Sequence, residues 1–155
     1  MKRRKMTTLV PLAAVAALTF IATALPVAHA EDSTDTCSVS TLKGAYSVQA
    51  QGTVISQLPN FPAPPFPFAE AGIDNLDGAG NLTGGVTLNI DGLAVQTNVA
   101  GTYAVNSDCT GTLSLTTSLG VPVNESIVVV SKERFIAVDT DSYVVVTRTM
   151  EKIRD

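Results

Sequence analysis

The sequence predicts an all-β fold: a single antiparallel, up-and-down barrel of about eight strands, with a two-sheet sandwich as the alternative. Three observations carry this. Beyond the first thirty residues no segment sustains a helical period. Alternation and β-branched residues run instead from Gly44 to Met150, and turn signals cut that stretch into short runs with short connections. A meander of this kind closes readily, and closure removes the edges on which open sheets aggregate.

The first run, about Ala45–Ile55, places Tyr46, Val48, Ala50, Gly52 and Val54 on one face. Ser47, Gln49, Gln51 and Thr53 take the other, as in a half-buried strand. From Leu58 to Pro67, five prolines exclude a central strand, because proline cannot donate to the ladder. This Pro-Phe segment is expected to be a rigid surface loop with its phenylalanines on the barrel; a lid over the mouth and a docking surface are the alternatives. Strand two, about Phe68–Leu76, ends in the turn Asp77-Gly78-Ala79-Gly80-Asn81. Strand three, about Leu82–Ile90, ends in the hairpin signal Asp91-Gly92, and strand four follows at about Leu93–Val105. The turn 106–111 leads to strand five at Thr112–Thr117, and Leu119-Gly120 to strand six at about Val121–Val130. Strand seven is expected at Arg134–Asp139 and strand eight at Ser142–Met150.

The amino end has the three parts of an export signal: Lys2-Arg3-Arg4-Lys5, an apolar stretch from about Leu9 to Leu25, and the small-x-small pattern Ala28-His29-Ala30. Residues 1–30 are therefore expected to be a signal peptide removed after Ala30, leaving an amino-terminal segment 31–43 and a barrel domain 44–155. Its destination is periplasmic or extracellular. The apolar stretch is short for a retained anchor, and no later stretch is long and apolar enough to span a bilayer as a helix. Arg3-Arg4 lacks the following apolar pair of a twin-arginine signal, which favours general secretion.

Four of the ten basic residues leave with the leader, so six bases face fourteen acids, a net charge of −8. That balance argues against nucleic acid or an anionic membrane as partner. The single histidine, His29, leaves too, which excludes Ser-His-Asp and Cys-His catalysis and His-ligated metals. No cofactor and no metal site is expected. Cys37 and Cys109, an even pair in an exported chain, are read as a disulfide worth roughly 4 kcal/mol for its long loop.

Three segments resemble a group of exported bacterial proteins of unassigned function: Cys37–Tyr46, Asp77–Gly84 and Gly101–Gly111. These are similar to small calycin-type barrels, loosely akin to lipocalins and to the allene oxide cyclase barrel. The resemblance implies a fold and a compartment but no activity. Gly44-Ala45-Tyr46 stands where lipocalins carry Gly-x-Trp, without the Trp, and no cyclase catalytic motif can be carried across.

Parity nominates six lumen residues as a ligand site: Tyr46, Glu70, Val99, Tyr103, Glu125 and Tyr143. Glu70 and Glu125 share faces with apolar residues, so each must be paired or protonated if it points inward. Arg148 or a tyrosine hydroxyl is the expected partner. The preferred alternative puts both acids near strand ends or returns them to solvent by a bulge. Ala50, Gly52 and Gly101 are expected to leave part of the lumen open. Asp74–Asn81 looks superficially like a calcium loop, but a hairpin turn is the better reading, as the closing Glu is missing. The function expected is non-enzymatic: binding of a small apolar molecule, or action through the surface. The alternatives are a cofactor-free cyclase or isomerase using Glu70 or Glu125, and a structural or adhesive protein using the Pro-Phe loop.

Overall fold

The computed structural model describes residues 36–58, 61 and 63–153. The expected signal peptide 1–30, with its cleavage site after Ala30, lies outside the described residues.

A single 3-10 turn, Val39–Thr41, precedes eight strands: β1 Lys43–Val54, β2 Phe66–Asp77, β3 Asn81–Ile90, β4 Leu93–Val105, β5 Thr110–Thr117, β6 Pro122–Ser131, β7 Arg134–Asp139 and β8 Val144–Lys152. Each pairs antiparallel with the next, and β8 returns to pair with β1. The sheet is a closed barrel; the sandwich alternative does not occur. Strand eight starts two residues later than expected because Asp141 organises a turn there, its carboxylate accepting from the Asn124 backbone N–H and side-chain amide.

Alternation sorts the side chains as the sequence requires. Leu, Val, Ile and Phe fill the interior, while β1 turns Ser47, Gln49 and Gln51 outward and β5 turns Thr110, Thr112, Ser114 and Thr116 outward. The two ends differ. Where β1 begins, Leu42, Tyr46, Leu113, Ile127, Phe135 and Met150 are fully buried and form a plug. Tyr46 meets Phe135 edge-on at 5.5 Å and donates its hydroxyl to the Lys132 carbonyl. Tyr103 donates to the Leu42 carbonyl at 2.7 Å and accepts from the Gly78 N–H. The disulfide Cys37–Cys109 ties the amino-terminal segment to the β4–β5 turn at this same end. This is the closed end; the opposite end is open.

The glycines that were expected to leave lumen space serve another purpose. A Cβ on Gly52 would overlap the Val145 carbonyl oxygen, and one on Gly101 the Ser114 carbonyl oxygen. Both positions let adjacent strands approach where the barrel bends, so they add curvature and no cavity.

Candidate functional site

The open end leads into an apolar pocket walled by Phe66, Leu88, Val99, Leu115, Val123 and Val146, among others. Leu58 and Phe61 from the Pro-Phe segment reach over it, half-buried against the core. That segment packs on the barrel as expected, and the same contact makes it a partial cover. The cavity measures about 70 Å³. An apolar cavity of roughly 150 Å³ admits benzene, so this one suits a slim chain unless Leu58 and Phe61 move aside.

The floor of the pocket is charged. Arg148 on β8 projects inward between Val146 and Met150, its side chain 4% exposed. Its Nε lies 2.9 Å from Glu125 Oε1, its Nη1 3.3 Å from Glu70 Oε1, and its Nη2 donates to Glu70 Oε2 at 3.3 Å. Asp74 Oδ2 stands 4.0 Å from Nη1, with no side-chain exposure at all.

The register explains how one guanidinium reaches three carboxylates from two other strands. Arg148 is cross-strand from Ala50 on β1 and from Ala137 on β7. Ala50 is in turn opposite Glu70, and β7 lies between Arg148 and Glu125. An alanine on each flank leaves the interior free for the long side chains to meet across a whole strand. Asp74 is housed similarly: its cross-strand partner on β3 is Gly84, where a Cβ would overlap the Asp74 carboxylate.

Three buried carboxylates share a single buried cation, and the electrostatics follow. Burial holds Glu70 above the usual carboxylate range, with Arg148 pulling the other way. Burial pushes Asp74 up to about 6 and Glu125 up to about 7, again against Arg148. Asp139, half-buried at the end of β7 and lining the pocket, is pushed by burial to about 6. For Arg148 burial opposes the charge, but Glu125, Glu70 and Asp74 outweigh it and hold the guanidinium firmly protonated. The layer therefore takes up protons close to neutral pH.

No family model matches the chain, and no curated protein matches it. Two solved structures are similar. A redesigned β-barrel is 17% identical with a TM-score of 0.52, covering 75% of this chain and 95% of that one. A de novo designed fluorescence-activating β-barrel is 8% identical with a TM-score of 0.53, covering 74% and 96%. The fold is an eight-stranded β-barrel. At these identities the likeness carries the barrel alone.

The six nominated residues divide by position in the barrel. Glu70, Val99 and Tyr143 line the pocket. Glu125 lies beneath it, against Arg148. Tyr46 and Tyr103 belong to the closed-end plug, their hydroxyls bonded to backbone carbonyls. Tyr143, half-buried at the mouth, donates to the Pro122 carbonyl, with Asp141 Oδ2 3.2 Å away. Glu70 and Glu125 do not return to solvent as the preferred alternative had it. Their strands run without a slip at those positions, so parity holds and both point inward.

Sequence reasoning missed Asp74 and Asp139. Asp74 shares the inward parity of Glu70, four residues on, but read as the start of a turn-like run. The turn itself begins at Asp77, whose carboxylate accepts from the N–H groups of Ala79 and Asn81 and from the Asn81 side chain.

Proposed function

We propose that this is an exported barrel, freed of its leader after Ala30, that binds a small and largely apolar molecule in the pocket at its open end and carries out no chemistry on it. The observation that supports this reading is the pocket itself, entered from solvent, with mostly apolar walls, Glu70 and Arg148 at its floor and Asp139 and Tyr143 nearer the mouth. Barrels of eight strands have room for one small ligand. The outer faces of β1 and β5 are polar, as suits a barrel in water, while β6 to β8 turn Val128, Val130, Ile136, Val138 and Val145 outward. The likeness to calycin-type exported proteins fits the same compartment.

The rival, a cofactor-free cyclase or isomerase, needs a tyrosine donor beside its carboxylate. No tyrosine hydroxyl is hydrogen-bonded to Glu70 or Glu125 among the described residues: Tyr46 and Tyr103 donate to backbone carbonyls in the plug, and Tyr143 lies on the Pro122 carbonyl and Asp141. An adhesive role for the Pro-Phe segment has less support, because Leu58 and Phe61 turn towards the core.

Titration with an apolar fluorescent dye tests the reading, with micromolar affinity expected, roughly −8 kcal/mol. Val99 is buried in the pocket wall and Asn98 faces outward. Val99→Phe should weaken binding about tenfold by filling space, and Asn98→Phe should leave it unchanged. Equal effects, or no binding to the parent protein, would instead favour a packed barrel that acts through its surface.

A further inference from the structure

Charge is distributed unevenly along the barrel axis: the closed rim mixes bases with Asp77, Asp108, Glu133 and Glu151, and the open rim carries acids alone among the described residues. No Lys or Arg stands between Lys43 and Lys132. Among the described residues the other bases occupy the closed rim: Lys43 where β1 begins, Lys132 and Arg134 around the β6–β7 turn, and Lys152 where β8 ends. The open rim carries Asp91 in the β3–β4 turn, and Asp139 and Asp141 where β7 ends. Behind that rim lie Glu70, Asp74 and Glu125 with Arg148 as their shared counter-ion.

The hydrogen-bonding of the floor is incomplete, more so for its acceptors than for its donors. Glu70 Oε1 and both oxygens of Asp74 and of Glu125, all buried, accept no hydrogen bond among the described residues, and Arg148 Nε and Nη1 donate none, meeting Glu125 and Glu70 as ion pairs. Ionised carboxylates only accept, and such oxygens outnumber the two guanidinium nitrogens five to two, so a donating ligand answers the larger deficit. Glu70 and Asp139 are the carboxylates that line the pocket, with Arg148 lining it beside them. A carboxylate-bearing ligand would add a further anion to a layer where Arg148 already serves three. An alcohol would donate one hydrogen bond and leave the charge surplus as it is. An ammonium donates three and offsets it. An acidic mouth also raises the local concentration of cations.

We infer that the pocket takes the ammonium group of a primary amine carried on a slim apolar chain, the cation resting against Glu70 and Asp139 and the chain lying along the apolar walls. This rests on the reading of the pocket as a ligand site and specifies the head group. The charged and titratable groups around the site come from β2 (Glu70, Asp74), β6 (Glu125), β7 (Asp139) and β8 (Arg148), with Asp141 and Tyr143 beyond β7. The remaining strands turn no other acid or base inward here; Tyr46 of β1, opposite Asp74, is committed to the Lys132 carbonyl. With Asp74 and Asp139 titrating near 6, and Glu125 near 7, the floor gains negative charge as pH rises through this window. An alkylammonium keeps its proton to about pH 10, so amine affinity should rise across the same window and binding should release protons.

Calorimetric titration of the protein with hexylamine, hexanol and hexanoate at about pH 8 and about pH 5 tests this. At the higher pH the amine should bind about tenfold more tightly than the alcohol, and hexanoate most weakly. At the lower pH the gap should narrow. Proton release on amine binding should appear as a dependence of the heat on buffer ionisation enthalpy. Asp139→Asn, which keeps the oxygen that accepts from the Asp141 N–H, should also narrow the gap. Alcohol binding equal to or tighter than amine binding, or hexanoate binding best, would overturn the amine assignment and leave the pocket standing. Binding of none of the three would overturn the pocket reading as well.

Discussion

The guanidinium of Arg148 lies 2.9 Å from the carboxylate of Glu125, although the whole of β7 separates the strands that carry them. The contact exists because Ala137, the β7 residue opposite Arg148, is too short to fill the gap. The charged layer is thus specified by two kinds of residue: those that carry charge, and the alanines and glycine that keep the way clear.

Widening a clearing residue should be damaging, though less so than removing the shared cation. Ala137→Leu would drive a side chain into the space between Arg148 and Glu125, and should cost about 1–3 kcal/mol in urea denaturation. Ala104→Leu, on the outer face of β4, should change stability by less than about 0.5 kcal/mol. Similar losses from the two would mean that the interior tolerates the larger residue.

Arg148→Met should be strongly destabilising, because Glu70, Asp74 and Glu125 would lose their common cation. A loss of about 3–5 kcal/mol is expected at about pH 8. At about pH 5 the carboxyls can protonate, and the loss should be much smaller. A loss independent of pH would assign the effect to packing instead.

The unmutated protein should be less stable in mild base than in mild acid. Asp74 and Glu125 titrate near 6 and 7 in the folded state, against 3.8 and 4.5 for free groups. Between those limits the folded chain binds more protons than the unfolded one. Their contribution is complete below about pH 4 and is lost as pH rises through 6 and 7. Asp77, held near 2 by hydrogen bonds from the Asn81 side chain and backbone, acts in the opposite sense, at more acid pH. Thermal melts should therefore fall between about pH 5 and about pH 8, and Glu125→Gln should flatten that slope. A Tm that rises over the interval would contradict the assignment.

Cys109→Ser should lower the denaturant midpoint, with a loss of up to roughly 4 kcal/mol, while the far-UV β signal persists at low denaturant. The bridge spans 72 residues and anchors the plug at one end of the barrel, and the strand ladders do not depend on it. Collapse of the β signal without denaturant would show that the staple is needed for the fold itself.

The strands were legible because their inner and outer faces differ in chemistry, most clearly in β1 and β5 and less so in β6 to β8, where Val128, Val130, Ile136, Val138 and Val145 face outward. Tyr46, Val48 and Ala50 alternate with Ser47, Gln49 and Gln51 in the sequence as in the barrel. Parity puts Glu70 and Glu125 on apolar faces, but a strand end or a bulge is the preferred reading of the sequence for both, because a one-residue slip would turn them outward. The height of each residue along the barrel axis was not legible. Tyr46 and Tyr103 share inward parity with Glu70, yet they sit in the plug, because height depends on register across all eight strands and parity is blind to it. The roles of Gly52 and Gly101 were hidden for a related reason: their neighbours are backbone atoms of other strands, set by how sharply the sheet curls.

Where the chain enters and leaves the barrel has a consequence of its own. β1 begins and β8 ends side by side at the closed end, where the Ile153 N–H donates to the Ala45 carbonyl. Anything joined to either end, whether a second domain, an affinity handle or a surface tether, would thus be attached at the pole opposite the mouth. The barrel can be immobilised, fused or displayed through either end with its opening facing outward. Conversely, splicing the two ends together and cutting the chain at Asp91-Gly92 would move the attachment point to the mouth itself, giving a permuted barrel whose entrance the tether obstructs.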